Sequence, residues 1–142
     1  MNLLIIHGPN LNLLGEREVE IYGKLTLKEI NSYIRKYATT KKVKLKIFQS
    51  NHEGKIMDLI AAHRKWADWL IINPAAFTYY SYAIRDAIKG VNIKAIEVHL
   101  SDIKKRESFR KKSIILPVCL KQIKGLGKNS YTKAIDFCLK HT

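Results

Sequence analysis

Two short apolar runs place the strongest constraint on how this chain folds. Residues 3–6 read LLII and are followed at once by His7, Gly8 and Pro9, while residues 69–72 read WLII and end at Asn73 and Pro74. Apolar runs of this length, closed by Gly or Pro, are typical of strands that are buried on both faces of a parallel sheet.

Segments with helical spacing lie between the predicted strands. Thr26 and Glu29 form a capping box at the start of the first helix. A second helix is predicted around residues 56–63, and Gly90 has the position of a C-cap for the third. Ser130 is predicted to cap the last helix.

Three further strands complete the expected pattern. Residues 42–48 alternate between lysine and apolar side chains, which predicts a half-exposed strand at a sheet edge. Residues 93–100 form the fourth predicted strand, and the fifth lies within 114–123. The alternation of strands and helices predicts an α/β fold, a flavodoxin-like three-layer sandwich with a parallel five-stranded sheet in the order 2-1-3-4-5.

Length and composition indicate one domain over residues 1–142. With 142 residues, 46% of them hydrophobic, the chain is long enough for one core and too short for two. No apolar run approaches the ~20 residues of a membrane span, so no membrane association is expected. Cys119 and Cys138 fit two reduced, buried thiols better than a disulfide framework or a metal site, which favours a cytoplasmic protein.

A net charge of +14, from 26 Lys and Arg against 12 Asp and Glu, raises the question of nucleic-acid binding. The cations are spread over every segment, and only residues 104–112 form a dense run. No nucleic-acid-binding motif accompanies them. We therefore expect a solvated basic surface and no specific nucleic acid, with a field that attracts a carboxylate substrate.

Polar residues follow several of the predicted strands. In a sheet of this order, ligands bind beyond the carboxyl ends of the strands, near the switch point between the first and third. Glu97 and His99 are two residues apart on a strand, so their side chains share a face, and the carboxylate can orient an acid–base imidazole. A buried structural pair is the alternative, and the position at a strand end favours the functional interpretation. The residues that meet at this edge are Asn10, Asn73, Glu97, His99, Leu100 and Ser101.

Residues 11–24 form an unusually long connection after the first strand, with no helix cap before Thr26. We interpret them as an active-site lid that brings Arg17 and Tyr22 to the same edge. A tyrosine hydroxyl is a poor base, and a guanidinium folded against it favours the tyrosinate. The alternative is a loop tyrosine that packs on the sheet, with Arg17 in solvent. The glycine-rich residues 125–130 lack the spacing of a phosphate loop and predict a tight strand-to-helix turn.

Four motifs resemble one family over essentially the whole chain. They read, in order, GPNLNLLGEREVEIYG, NPAAFTYYSYAIRDAI, IEVHLSDIKKRESFRKKS and IKGLGKNSYTKAI. Together they are similar to type II 3-dehydroquinate dehydratase of the shikimate pathway. The resemblance implies conversion of 3-dehydroquinate to 3-dehydroshikimate without a cofactor, a metal or a Schiff base.

The resemblance also implies roles for individual residues. Tyr22 would remove the proton next to the ketone, with Arg17 keeping it ionised, and Asn10 would steady the enolate through a water. His99, oriented by Glu97, would protonate the departing hydroxyl. The substrate-binding residues implied are Asn73, Tyr79, Leu100, Ser101, Arg110 and, from a neighbouring subunit, Asp86. The implied assembly is a homododecamer, a tetramer of trimers.

The chain departs from the family pattern at four positions. Val19 stands in place of a lid proline, Asp102 in place of an asparagine, Tyr79 in place of a substrate-binding histidine and Tyr80 in place of a threonine. These departures concern substrate affinity rather than the acid and the base. The alternative function is a non-catalytic flavodoxin-like module that binds anionic ligands or nucleic acid, but it does not explain why acid, base and lid occur together.

Overall fold

A parallel sheet forms the centre of the protein. The computed structural model describes residues 1–16, 18–102, 107–108 and 112–142. Within them, five parallel strands lie in the order β2-β1-β3-β4-β5, which confirms the predicted order. The strands are β1 Asn2–His7, β2 Lys44–Gln49, β3 Trp69–Asn73, β4 Lys94–His99 and β5 Lys121–Lys124.

Helices cover both faces of this sheet, as the three-layer prediction requires. The α-helices are α1 Val19–Tyr22, α2 Leu27–Thr40, α3 Glu53–His63, α4 Tyr82–Val91 and α5 Asn129–Lys140. Short 3-10 helices occupy Leu11–Leu13, Ala75–Tyr79 and Leu116–Val118. None of the described helices combines the length and the apolar character needed to cross a bilayer.

The two faces of the sheet build two separate apolar cores because neighbouring residues of a strand point to opposite faces. Leu3 and Ile5 of β1 pack with the inner faces of α2 and α5. Leu4 and Ile6 pack with the inner faces of α3 and α4. The strands buried on both faces are therefore the apolar runs of the sequence, while β2, at the edge, exposes Lys44 and Lys46 as predicted.

Two predicted helix ends are wrong. Gly90 lies inside α4, and the left-handed residue that follows the helix is Asn92, with φ of 55°, a conformation that asparagine tolerates. Ser130 lies inside α5, and its hydroxyl donates to the backbone oxygen of His99 at 3.1 Å instead of capping the helix. The capping box of Thr26 and Glu29 is confirmed.

The connection after β1 is more ordered than a long loop. The 3-10 helix Leu11–Leu13 and the one-turn helix α1 lie within residues 11–24, and neither begins with a side-chain cap, in agreement with the absence of a helix cap before Thr26. Leu11 and Leu14 are buried against the core on the α2 side, which explains the apolar character of this segment. The fifth strand is β5, at the end of the predicted interval, and both cysteines are free, with Cys138 buried and Cys119 partly buried.

The last residue of β1, His7, is fully buried. His7 contacts the Asn31 side-chain oxygen through Nε2 at 2.8 Å and the Tyr131 hydroxyl through Nδ1 at 2.9 Å. Burial lowers the pKa of His7 to about 4, with the hydrogen bond to Asn31 opposing this shift and the charge of Arg35 adding to it. His7 is therefore neutral in the folded protein near pH 7.

We predict that this buried imidazole makes the fold sensitive to acid. The unfolded chain protonates His7 near pH 6.5 and the folded chain near pH 4, so its contribution to stability is complete above pH 6.5 and is lost as the pH falls toward 4. The loss amounts to about 2 kcal/mol of unfolding free energy between pH 8 and pH 5.

Urea unfolding of the wild type and of His7→Gln at both pH values measures this effect. Glutamine donates and accepts hydrogen bonds but takes up no proton in this range, so the variant should lose less stability than the wild type on acidification. An equal loss in the two proteins would contradict the assignment.

Candidate active site

The carboxyl ends of β1 and β3 are held together by a close backbone contact. The Gly8 N–H donates to the Asn73 backbone oxygen at 2.7 Å. A Cβ atom at Gly8 would lie 2.6 Å from the Pro74 backbone oxygen, which leaves room for glycine alone unless the backbone shifts. The switch point predicted from the strand order is thus a tightly packed junction, and Asn10 follows it directly.

Asn10 lies in a left-handed conformation with φ of 67°. Its backbone N–H donates to the Asn51 side-chain oxygen at 2.9 Å, and the same oxygen accepts from the Gln49 amide at 3.0 Å. Gln49 also donates to the Gly8 backbone oxygen at 3.2 Å. The end of β2 therefore fixes the turn that presents Asn10, a role for Gln49 and Asn51 that the sequence did not reveal.

The Asn73 side chain is held on both of its polar atoms. Its oxygen accepts from the Ala75 N–H at 3.1 Å, and its nitrogen donates to the Tyr131 hydroxyl at 3.4 Å. Ala75 has φ of 50°, so this turn after β3 places a non-glycine residue in the left-handed region.

Glu97 and His99 are in direct contact at the end of β4, as their spacing predicts. The distance between Glu97 Oε2 and His99 Nε2 is 2.6 Å. His99 is 5% exposed and Glu97 is fully buried. Because a carboxylate can only accept, His99 donates from Nε2 to an ionised Glu97, and Nδ1 is the ring atom available for proton transfer to a ligand.

Two further side chains, not predicted from the sequence, satisfy the buried carboxylate. The Ser113 hydroxyl donates to Glu97 Oε1 at 2.5 Å, and the Gln122 amide donates to Oε2 at 2.6 Å. Since Ser113 gives its proton to the carboxylate, the Thr78 hydroxyl is the donor in its 2.8 Å contact with Ser113. Gln122 lies opposite Glu97 in the register of β4 and β5, which is the signal that could have identified it.

The charge of Glu97 follows from this balance of burial and donors. Burial favours the neutral acid and by itself raises the pKa of Glu97. The hydrogen bond and charge of His99, with the hydrogen bonds of Ser113 and Gln122, outweigh burial and hold the pKa of Glu97 below its usual value. The result is a carboxylate that remains ionised while excluded from water.

The glycine-rich turn supports the residues that follow β4. The Gly127 N–H donates to the backbone oxygen of buried Leu100 at 3.0 Å. Gly125 and Gly127 have φ of 78° and 55°, which confirms a tight strand-to-helix turn. Ser101 is partly buried beside it.

The lid residues are described only in part. Tyr22 is the last residue of α1 and packs, partly buried, against the core on the α2 side. Arg17 lies outside the described residues, so the predicted contact between Arg17 and Tyr22 is not seen. Arg110 also lies outside them.

The remaining predicted residues lie on the segment after β3. Tyr79 is the last residue of the 3-10 helix Ala75–Tyr79 and is partly buried. Tyr80 follows it and is exposed. Asp86 lies on α4 and is exposed.

A surface depression of about 600 Å³ lies between β5 and α5, and its lining includes the basic side chains Lys121, Lys133 and Lys140. No predicted site residue that the structure describes lines it. In the part of the chain that the structure describes, no three His, Cys, Asp or Glu side chains are grouped to hold a metal ion.

Comparisons with known proteins identify the family of this chain. The family model of class II dehydroquinase matches residues 1–139. The chain is 48% identical over 136 residues to 3-dehydroquinate dehydratase of Dictyoglomus turgidum, covering 96% of this chain and 94% of the relative. It is 49% identical over 140 residues to the enzyme of that name from Clostridium botulinum, covering 99% and 95%.

A solved structure gives the same result for the fold. The crystal structure of type II dehydroquinase from Butyrivibrio crossotus has a TM-score of 0.96 at 46% identity and covers 98% of this chain and 97% of that one. Because the family model and these relatives span nearly the whole length, the chain belongs to the class II dehydroquinase family.

Proposed function

We propose that this protein is a type II 3-dehydroquinate dehydratase, a lyase that converts 3-dehydroquinate to 3-dehydroshikimate by trans elimination of water in the shikimate pathway. The observation that carries this function is the family match over residues 1–139. The buried Glu97–His99 pair at the end of β4 supports it, because it supplies an oriented acid. The direct test is the appearance of enone absorbance when purified protein is mixed with 3-dehydroquinate.

The proposed reaction divides the elements of water between two side chains. Tyr22, as tyrosinate, takes a proton from the carbon next to the ketone, and the electron pair moves into an enolate that Asn10 stabilises through a water. Arg17 favours the tyrosinate by its positive charge. Collapse of the enolate expels the hydroxyl, which leaves as water after His99 gives it a proton from Nδ1.

Glu97 serves His99 in this scheme. A carboxylate that stays ionised beside the imidazole stabilises the protonated ring before the transfer and fixes its orientation during it. The donors Ser113 and Gln122 keep that carboxylate charged and in place. The acid is thus supported by β4, β5 and the segment around Ser113.

Substrate binding is assigned to the residues around the strand ends. Asn73 and the Leu100–Ser101 segment would hold the carboxylate, and Arg110 a ring hydroxyl. Tyr79 would contact the ligand where the family has histidine, with a hydroxyl further from the backbone than a ring nitrogen. The exposed position of Asp86 supports a role in the site of a neighbouring subunit. The proposed assembly is a homododecamer with one catalytic domain per chain, and its proposed location is the cytoplasm.

The non-catalytic alternative is not favoured. A module that binds anions through surface charge has no need for a buried carboxylate held by a histidine and two further donors. The basic charge of the chain fits attraction of an anionic substrate.

We expect loss of either the base or the acid to remove most of the turnover. Tyr22→Phe and His99→Ala should each lower kcat by ~10² or more, the usual effect of a positioned acid or base. Wild-type activity should withstand borohydride added with substrate, because no lysine imine forms. Near-normal turnover in either variant, or inactivation by borohydride, would reject the mechanism.

The donors to Glu97 should matter for kcat more than for KM, because they act on the acid and not on bound substrate. Gln122→Leu should lower kcat by roughly tenfold, since a hydrogen bond to a charged group contributes about 1.5–3 kcal/mol. Ser113→Ala should act in the same direction. Lys121→Gln, an exposed change on the same strand, is the control and should leave kcat unchanged. Steady-state kinetics measure both variants. An unchanged kcat in Gln122→Leu would contradict its role in holding Glu97.

Asp86 should affect activity only through the assembly. Asp86→Ala should raise KM for 3-dehydroquinate by about tenfold or less, the effect of losing one hydrogen bond, while light scattering shows an unchanged oligomer. A monomeric wild type with full activity would rule out a contribution from a neighbouring subunit.

A further inference from the structure

A hydrogen-bonded network of four buried or half-buried polar side chains lies on the α2 and α5 side of the sheet, next to the candidate active site. It runs from Asn31 on α2 to His7 on β1, then to Tyr131 on α5 and to Asn73 on β3. His7 and Asn73 are direct neighbours in the register of β1 and β3. This network links four elements and ends at Asn73, which we propose binds the substrate.

The direction of every hydrogen bond in this network follows from the Asn31 side-chain oxygen, which can only accept. The Asn31 side-chain oxygen accepts, so His7 must donate from Nε2. The neutral ring then accepts at Nδ1, and the Tyr131 hydroxyl must be its donor. The Tyr131 oxygen is left to accept from the Asn73 amide nitrogen.

The Asn73 amide is therefore held in one of its two orientations. Its oxygen accepts from the Ala75 N–H, and its nitrogen donates one hydrogen to the Tyr131 hydroxyl. An amide nitrogen carries two hydrogens, so the second remains for a ligand beyond the strand end. An edge contact between the His7 and Tyr131 rings, with centroids 5.3 Å apart, fixes the hydroxyl further.

We propose that Tyr131, backed by His7 and Asn31, is a positioning residue that orients the Asn73 amide so that it presents an N–H to the substrate. This inference rests on the proposed function, because it takes the role of Asn73 in substrate binding from there. It goes further in naming residues remote from the substrate that set its affinity.

The surroundings of His7 determine how the network responds when His7 is protonated. Asn31 and the cation Arg35 face it from α2, Tyr131 from α5, Asn73 from β3 and Gln49 from its register partner β2. An imidazolium would donate from both nitrogens and turn the Tyr131 hydrogen away from His7, toward the Asn73 N–H. Protonation of His7 should therefore weaken the hold on Asn73.

The first test removes the hydroxyl of Tyr131 alone. Tyr131→Phe should raise KM for 3-dehydroquinate by about tenfold and leave kcat within about threefold, because the lost contact concerns binding and not proton transfer. Tyr33→Phe is the matched control. The Tyr33 hydroxyl also joins α2 to α5, by a hydrogen bond to Asn129 at 2.7 Å, but it is not part of the network. The KM of this variant should not change.

The second test reverses the preference of His7 for the neutral state. The carboxylate of Asn31→Asp favours the imidazolium, although Arg35 offsets part of its charge. The ratio of the variant KM to the wild-type KM should rise by about fivefold from pH 8 to pH 6 as His7 becomes protonated. A ratio that is the same at both pH values would mean that the network has only a structural role, and it would overturn the proposal.

Crystal structures of the wild type and Tyr131→Phe separate this inference from the proposed function. The wild type should show the amide of Asn73 fixed on Tyr131, and the variant should show it rotated or disordered. An amide that keeps its place in the variant, or an unchanged KM in an active enzyme, overturns the positioning role. Absence of dehydration by the wild type would reject the proposed function, while the amide orientation still decides the structural part.

Discussion

The carboxylate of Glu97 is the group around which the rest of the site must be built. A carboxylate without contact to water is costly unless donors surround it. Three donors reach it, from His99 on the same strand, Gln122 on β5 and Ser113 on the segment before β5. Each comes from a different part of the fold, so the charge can be buried only when β4, β5 and this segment are assembled together.

The two faces of the sheet supply different parts of the site. Glu97 and His99 share the face of Ala95, on the side of α3 and α4. Asn73 shares the face of Ile71, on the side of α2 and α5, where Tyr131 holds it. The side chains of His99 and Asn73 thus reach the strand ends from opposite faces of the sheet, and a ligand bound as we propose would lie between the two layers.

The sequence was most informative where one local rule acts without competition. Residues 3–6 and 69–72 predict strands correctly because an apolar run bounded by Gly or Pro fits few other structures. Gly90 was misleading because glycine is tolerated inside a helix, while Asn92 provided the left-handed turn. Ser130 was misleading because its hydroxyl donates to the backbone oxygen of His99 at the end of β4 instead of to its own helix.

Polar networks escaped prediction because their members are far apart along the chain. The Glu97–His99 contact follows from spacing within one strand, but Ser113 and Gln122 become neighbours of Glu97 only through the register of β4 and β5 and the path of the preceding segment. Tyr131 lies 124 residues from His7, and a tyrosine at helical spacing in an amphipathic segment resembles any core residue. What distinguishes it is that a buried hydroxyl needs partners. Once the fold places Tyr131 between a histidine and an asparagine, the need of each side chain for a hydrogen bond determines the orientation of all three, and it is this orientation of Asn73 that we propose the substrate meets.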